Sequence, residues 1–369
     1  MPSPSGRPRA REFGIKIGSL SPGPRNSILD VPGVAVGHTT IIEGDGPLVV
    51  GKGPVRTGVT AVLPHGGNLF REKVRAAVHV INGFGKATGI AQVQELGVIE
   101  TPIVLTNTLS VGTAWDALCE YMLAQNEDIG TTTGTVNPLV AECNDGYLND
   151  IRGRHVKREH VLEALAGASA DHCAEGNVGA GTGMSCLGFK GGIGTSSRRL
   201  SGEIEDRFLG VLVLANFGSA RDLTIAGVPV GSLLARRRVP PAPPGSIVIL
   251  IATDAPLSDR QLGRAARRAQ GGLAKIGSFF SNGSGDFVIA FSTDGRVNHA
   301  SQGMIVETRL HDDSREMSSV FRATVEAVEE AVLNALFAAE TMVGRDGNVR
   351  EGLPLDDVRE ILMSRKVLE

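Results

Sequence analysis

A chain of 369 residues with 41% hydrophobic and 21% charged residues has the balance of a globular protein, long enough for one large domain or two ordinary ones. A formal charge of −3 and a pI near 6.3 give no electrostatic basis for binding nucleic acid or an anionic membrane. Cys119, Cys143, Cys173 and Cys186 make no CxxC pair and are too sparse for a disulfide scaffold, and no apolar run approaches the roughly 20 residues that span a bilayer, so a cytoplasmic protein is expected. With 48 glycines and only 4% aromatics, the core must be built from Val, Ile, Leu and Ala around many tight turns.

The start, MPSPSGRPRAREFG, is basic and proline-rich but has no apolar stretch of the kind a secretory signal needs. Next, ILDVPGVAVGHTTII (28–42) alternates like a strand around a Pro32-Gly33 turn, and GVTAVLP (58–64) and PIVLTN (102–107) read as short strands. TAWDALCEYMLAQ (113–125) predicts a helix with Trp115, Leu118 and Met122 on one face, and REHVLEALAG (158–167) a second helix ending on glycine. A glycine-punctuated segment (176–197) leads to the strand RFLGVLVLAN (207–216). After a proline-rich connector at 235–245, the pattern predicts strand 246–252, helix 258–273, strands 286–292 and 303–310, and a long helix over 318–342 with Gly344 as its stop. A closing helix follows Pro354. Strands and helices are intermixed without regular βαβ alternation, which predicts an α+β fold, read as one domain over 1–369 with an exposed loop.

Several motifs fail on their chemistry. GPLVVGKG (46–53) lacks the final hydroxyl of a phosphate-binding loop, and Pro54 blocks the helix that should follow, so it reads as a turn. GAGTGMSCLG (179–188) lacks dinucleotide-binding spacing. The eight histidines include no HExxH or comparable pair, so no metal is expected; the arginines of 236–238 and of RQLGRAARR (260–268) read as solvated faces.

VPPAPPGSIVIL (239–250) is different, because a single hydroxyl stands between a stiff proline segment and a strand apolar on both faces. A serine hydroxyl can attack the carbonyl before it, pass through an ester and cut the chain, and Gly245 permits backbone geometry that a Cβ would hinder. Cleavage frees an α-amine on the residue that carries the hydroxyl, the arrangement of an N-terminal nucleophile. Taken alone, however, the dipeptide is better read as turning the chain into a strand.

The segments ILDVPGVAVGHTTI, GVTAVLPHG, AECNDGYLNDIRG, GAGTGMSCLGFKGGIGTSSR, LVLANFGSARDLTIAGVPVG, PGSIVILIATDAPL, GSGDFVIAFST and VEEAVLNAL change that balance. In this order, over nearly the whole length, the chain resembles the DmpA-type self-processing aminopeptidases, S58-like serine peptidases that include L-aminopeptidase/D-esterases and β-peptidyl aminopeptidases. The resemblance implies a four-layer αββα sandwich of the N-terminal-nucleophile type, made as a self-cleaving precursor. Cleavage of Gly245–Ser246 would leave chains 1–245 and 246–369, with Ser246 as nucleophile. Ser284 and Asp286 match the pair that handles proton transfer, and Asn216 the side-chain donor to the oxyanion. Glu142 matches the carboxylate that holds the substrate's ammonium. Some relatives carry a tyrosine beside the oxyanion where this chain has Asn144, with Tyr147 three residues on, which leaves the second oxyanion contact open.

The activity so implied is removal of N-terminal residues from short peptides, amides or esters through an acyl-enzyme, with no cofactor, by a homo-oligomer of processed α/β units. Two alternatives stand beside it. One is an acyltransferase resembling ornithine acetyltransferases, a group with threonine at the junction. The other is an unprocessed homologue acting as a binding protein.

Overall fold

The computed structural model describes residues 6–234, 245–301 and 303–368, so the arginine run 236–238 and the prolines 240–244 lie outside the described residues. The first part of the chain forms β1 (Ala35–Glu43), β2 (Val55–Leu63), β3 (Glu72–Gly83), β4 (Ala87–Thr88), α1 (Ile90–Leu96), β5 (Val98–Ile99), β6 (Ile103–Asn107), α2 (Val111–Leu123), β7 (Leu139–Cys143) and α3 (Arg158–Ala166). Then come β8 (Ser185–Cys186), β9 (Phe189–Lys190), β10 (Gly192–Arg199), β11 (Phe208–Asn216), α4 (Val230–Leu234), β12 (Ser246–Thr253), α5 (Asp259–Lys275), β13 (Gly285–Asn298) and α6 (Arg315–Ala338). The end of the chain adds β14 (Met342–Val343), β15 (Val349–Arg350) and α7 (Leu355–Ser364).

Two sheets dominate, one of order β1-β2-β6-β7-β4 and one of order β10-β11-β12-β13-β3-β5. Within the second, β12 lies antiparallel to β11 and parallel to β13. Its side chains alternate between two cores. Ile247, Ile249 and Ile251 pack with Leu262 and Ala266 of α5 and Val328 and Val332 of α6. Val248, Leu250 and Ala252 join Leu105, Leu139 and Ala141 of the other sheet. A strand covered on both faces has no use for a polar side chain, which accounts for the unbroken apolar run after Ser246. Against the first sheet, Val59, Ala61, Val104 and Val140 pack with Ala114 and Leu118 of α2 and Val161 and Leu165 of α3.

Local chemistry sets most boundaries. Ser258 and Gln261 form a reciprocal capping box that starts α5, and α3 stops at Gly167. Helix α6 lies so close to β10 that a Cβ on Gly194 would sit 2.0 Å from the carbonyl oxygen of Ala331.

The observed elements depart from the expected ones in several places. Residues 28–30 form a 3-10 turn, and the strand expected over 28–42 begins only at Ala35. The buried stripe of α2 runs through Val111, Ala114, Leu118 and Met122, with Trp115 at its edge, on the same side as Leu118 and Met122 as expected but 39% exposed. Residues 303–310 form no strand: Met304 and Val306 are fully exposed, and no described strand supplies a ladder. Helix α6 ends at Ala338 because Met342–Val343 turns back to pair with Val349–Arg350, leaving Gly344 in that hairpin. Finally, β3 and β7 are strands the sequence reading did not identify, although Val74, Ala76, Val78 and Val80 alternate as a strand should.

Candidate active site

Ser246 is the first residue of β12, so its neighbours are set by the two ladders beside it. It is in register with Asn216, the last residue of β11, and with Gly285, the first of β13. Adjacent strands lie about 4.8 Å apart. Asn216 thus flanks Ser246 on one side, and Ser284 and Asp286, the neighbours of Gly285, on the other.

Gly245 is held by a close approach. A Cβ there would lie 1.9 Å from the carbonyl oxygen of Asn216 and 2.7 Å from the Cα of Phe217. Its φ lies outside the left-handed region. Glycine is needed because another strand's backbone fills the space a side chain would take, and backbone freedom is not the reason.

The Ser284 hydroxyl donates to Asp286 Oδ1 at 2.5 Å. Asp286 is buried, and burial lifts its pKa to about 6 against the opposing pull of the Ser284 hydroxyl and the Ile247 N–H. The pair therefore joins a hydroxyl that can relay a proton to a carboxyl group able to change charge near neutrality.

The orientation of the Asn216 amide follows from its partners. The Ser185 N–H donates to Asn216 Oδ1 at 2.8 Å, and Nδ2 donates to the carbonyl oxygen of Asn144 at 3.0 Å. A backbone N–H can meet only the oxygen, so the NH2 is turned toward Asn144, and one of its two hydrogens remains for a further acceptor. Asn144 itself is exposed, and its Oδ1 accepts from the Gly146 N–H at 2.9 Å. It meets Asn216 through its carbonyl, and its own side chain closes a turn.

Glu142 is the penultimate residue of β7, opposite Thr106 of β6. It is buried. Its Oε1 accepts from the Lys86 N–H at 2.9 Å, its Oε2 accepts from the Thr108 hydroxyl, and burial raises its pKa. The Asn144–Asn216 bond ties the end of β7 to the end of β11, bringing Glu142 to the same edge of the molecule as Ser246. Beside the junction is a cavity of about 240 Å³ whose walls include Phe217, Gly245, Phe280, Ser281 and Ser284. Among the described residues no three His, Cys, Asp or Glu side chains converge as a metal site requires.

A model of peptidase family S58 matches residues 26–350. The chain belongs to this family. The matched interval contains every residue of the site just described. This S58 chain is 43% identical over 372 residues to the β-peptidyl aminopeptidase of Sphingosinicella microcystinivorans, covering 96% of this chain and 92% of that one. Among solved structures, a protein of Pyrococcus horikoshii OT3 superposes with a TM-score of 0.94 at 56% identity, covering 97% of this chain and 99% of that one. The L-aminopeptidase D-Ala-esterase/amidase of Ochrobactrum anthropi, a variant of the N-terminal-nucleophile (Ntn) hydrolase fold, superposes with a TM-score of 0.90 at 38% identity over 98% of this chain and 100% of that one. The mixed α/β architecture of the S58 chain is therefore of the Ntn hydrolase kind. No helix among its described residues is long and apolar enough to cross a membrane.

The sequence reading missed Ser185, Lys86 and Thr108, which hold Asn216 and Glu142 in place. Ser185 and Lys86 act through backbone N–H groups, which every residue but proline carries, so only the fold could single them out.

Proposed function

We propose that this chain is a self-processing N-terminal-serine aminopeptidase that releases N-terminal residues from short peptides, amides or esters. What supports the reading above all is the place of the Gly245–Ser246 junction, at a strand end in register with Asn216 and flanked by the Ser284–Asp286 pair. In the first reaction the Ser246 hydroxyl adds to the Gly245 carbonyl carbon. The C–N bond breaks, the hydroxyl's proton passes to the nitrogen, which leaves as the free α-amine, and an ester joins Gly245 to Ser246. Water then hydrolyses the ester, leaving chains 1–245 and 246–369 of a single four-layer αββα domain.

The freed α-amine has an ordinary pKa of about 7.7–8.0 and can take the proton of the Ser246 hydroxyl as it attacks a substrate carbonyl. Asn216 Nδ2 donates to the oxyanion of the tetrahedral intermediate, and Ser284 with Asp286 passes the proton toward the leaving group. Glu142, with the Lys86 N–H and the Thr108 hydroxyl fixing its carboxylate, receives the substrate's ammonium, which restricts attack to the first residue of a peptide. Asn144, through its carbonyl, steadies Asn216. The active form is a homo-oligomer of such cut units, and no step requires a cofactor.

The decisive experiment is intact mass spectrometry and N-terminal sequencing of the purified protein and its Ser246→Ala variant, with an amide and ester substrate panel. Wild-type protein should yield a chain beginning Ser-Ile-Val-Ile and hydrolyse the panel, and the variant should do neither. A variant that is still cut and still active would remove Ser246 from the mechanism.

A further inference from the structure

Arg350, the last residue of β15, is 1% exposed, and among the described residues no carboxylate pairs with it. A cation kept from water without a counter-ion is costly, so its remaining contacts indicate what keeps it there. Its Nε donates to the Ser185 hydroxyl at 2.9 Å, and its guanidinium lies over the Tyr147 ring, 3.6 Å from the centroid. Each contact leads to a partner of Asn216. The N–H of Ser185 holds Asn216 Oδ1 at 2.8 Å. Tyr147 belongs to the turn that begins at Asn144, whose carbonyl accepts from Asn216 Nδ2 at 3.0 Å.

The same hairpin grips that turn twice more. Asn348 Nδ2 donates to the Tyr147 carbonyl at 2.9 Å, and Arg345 Nε donates to the Gly146 carbonyl at 2.8 Å. Both ends of the Asn216 amide are thus held, one residue removed, from the stretch between Arg345 and Arg350.

We propose that Arg350 is a positioning residue that aims the Asn216 amide, acting through Ser185 on one side and the Asn144–Tyr147 turn on the other. This rests on the reading of Asn216 as oxyanion donor. It adds that a hairpin of the expected 246–369 chain completes the oxyanion side of the site, whose other members, Asn216, Ser185 and the Asn144–Tyr147 turn, lie on the 1–245 chain. The physical reason is that a hydrogen-bond donor stabilises a developing charge only when it is fixed before the charge appears. A displacement of about 1 Å at such a group can cost 10²-fold in rate.

The test is a double-mutant cycle on the processed enzyme, with kcat and KM measured separately for wild type, Arg350→Met, Asn216→Ala and the double variant. Arg350→Met should lower kcat by about 10- to 100-fold with KM changed less than threefold, and Asn216→Ala by about 10²–10³. The double variant should be no slower than Asn216→Ala alone, because an aiming group is worth nothing once its target is gone. Arg350→Lys, which keeps a donor and a cation over the ring, should recover most of the loss.

Multiplying effects in the double variant, or a loss confined to KM, would overturn the proposal, since both are what a general packing role produces. If Arg350→Met fails to fold, Ser185→Ala, which removes the hydroxyl that Arg350 Nε reaches, takes its place in the cycle against Asn216→Ala and is judged by the same criterion. An Asn216→Ala enzyme with unchanged kcat would instead defeat the oxyanion assignment itself, so the two failures are told apart.

Discussion

Replacing Gly245 with alanine should slow self-cleavage by at least 10²-fold. The added Cβ would sit 1.9 Å from the Asn216 carbonyl oxygen, 2.7 Å from the Asn216 carbonyl carbon and 2.7 Å from the Phe217 Cα. Ordinary contact between a carbon and an oxygen is more than an ångström longer than the first of these distances. All three obstacles are main-chain atoms, two at the end of β11 and one in the residue that follows it, so no side chain can swing aside to make room. Either the junction or the end of β11 must move by about 1 Å, which shifts the scissile carbonyl relative to Ser246 or Asn216 relative to both. Misplacement on that scale costs about 10²-fold, equivalent to about 2.7 kcal/mol in the barrier. The assay is a time course of freshly folded protein by SDS gel and intact mass, read as loss of the 38.6 kDa species. Once cut, residue 245 is a chain end free to turn away, so the fraction of Gly245→Ala that has been processed should hydrolyse substrate at close to the wild-type rate. Cleavage of Gly245→Ala at the wild-type rate would refute the claim that the close approach at residue 245 governs the geometry of the junction.

The remaining predictions concern pH. Burial lifts the Asp286 pKa to about 6, so the carboxylate is charged above that pH and neutral below it. The rate of self-cleavage should fall as pH drops through about 6, and Asp286→Asn should be slow and should lose that limb; an identical profile in the variant would assign the limb to another group. Asp145, fully buried beside Asn149, has its pKa raised from 3.8 to about 7. Because the folded state holds this proton more tightly than the unfolded one, the contribution is intact below pH 3.8 and is lost as pH rises through about 7, amounting to about 4 kcal/mol. Denaturant unfolding of Asp145→Asn in a processing-blocked background should show a flatter dependence of stability on pH between 4 and 7, whereas parallel curves would show that Asp145 does not titrate there.

What sequence alone determined was whatever depends on neighbours along the chain. The run after Ser246 reads as a strand covered on both faces because its side chains leave no polar face, and β12 is that strand. The Ser258–Gln261 box, the closing Gly167 and the apolar spacing of α6 are local in the same sense, since a cap or a helical stripe is made by residues three or four apart. Ser246, Asn216, Ser284, Asp286 and Glu142 could be singled out only by a family resemblance, because as isolated residues each has an ordinary role in a turn, a strand end or a surface.

Tertiary structure decided how those residues stand to one another. That Asn216 and Gly285 flank Ser246 is a matter of strand order and register, which no local pattern specifies. Glu142 is met by groups remote in sequence, the Lys86 N–H and the Thr108 hydroxyl, and residues 303–310 join no ladder although Arg75 of β3 pairs with Glu307 and the Leu310 N–H donates to the Pro256 carbonyl. The backbone donors of Ser185 and Lys86, and the reach of Arg350 across more than a hundred residues to Ser185, become visible only when the chain is folded. The physical reason is the same in each case: hydrogen-bond ladders and close backbone approaches join segments remote in sequence, and their energy depends on positions that the residues' identities leave open.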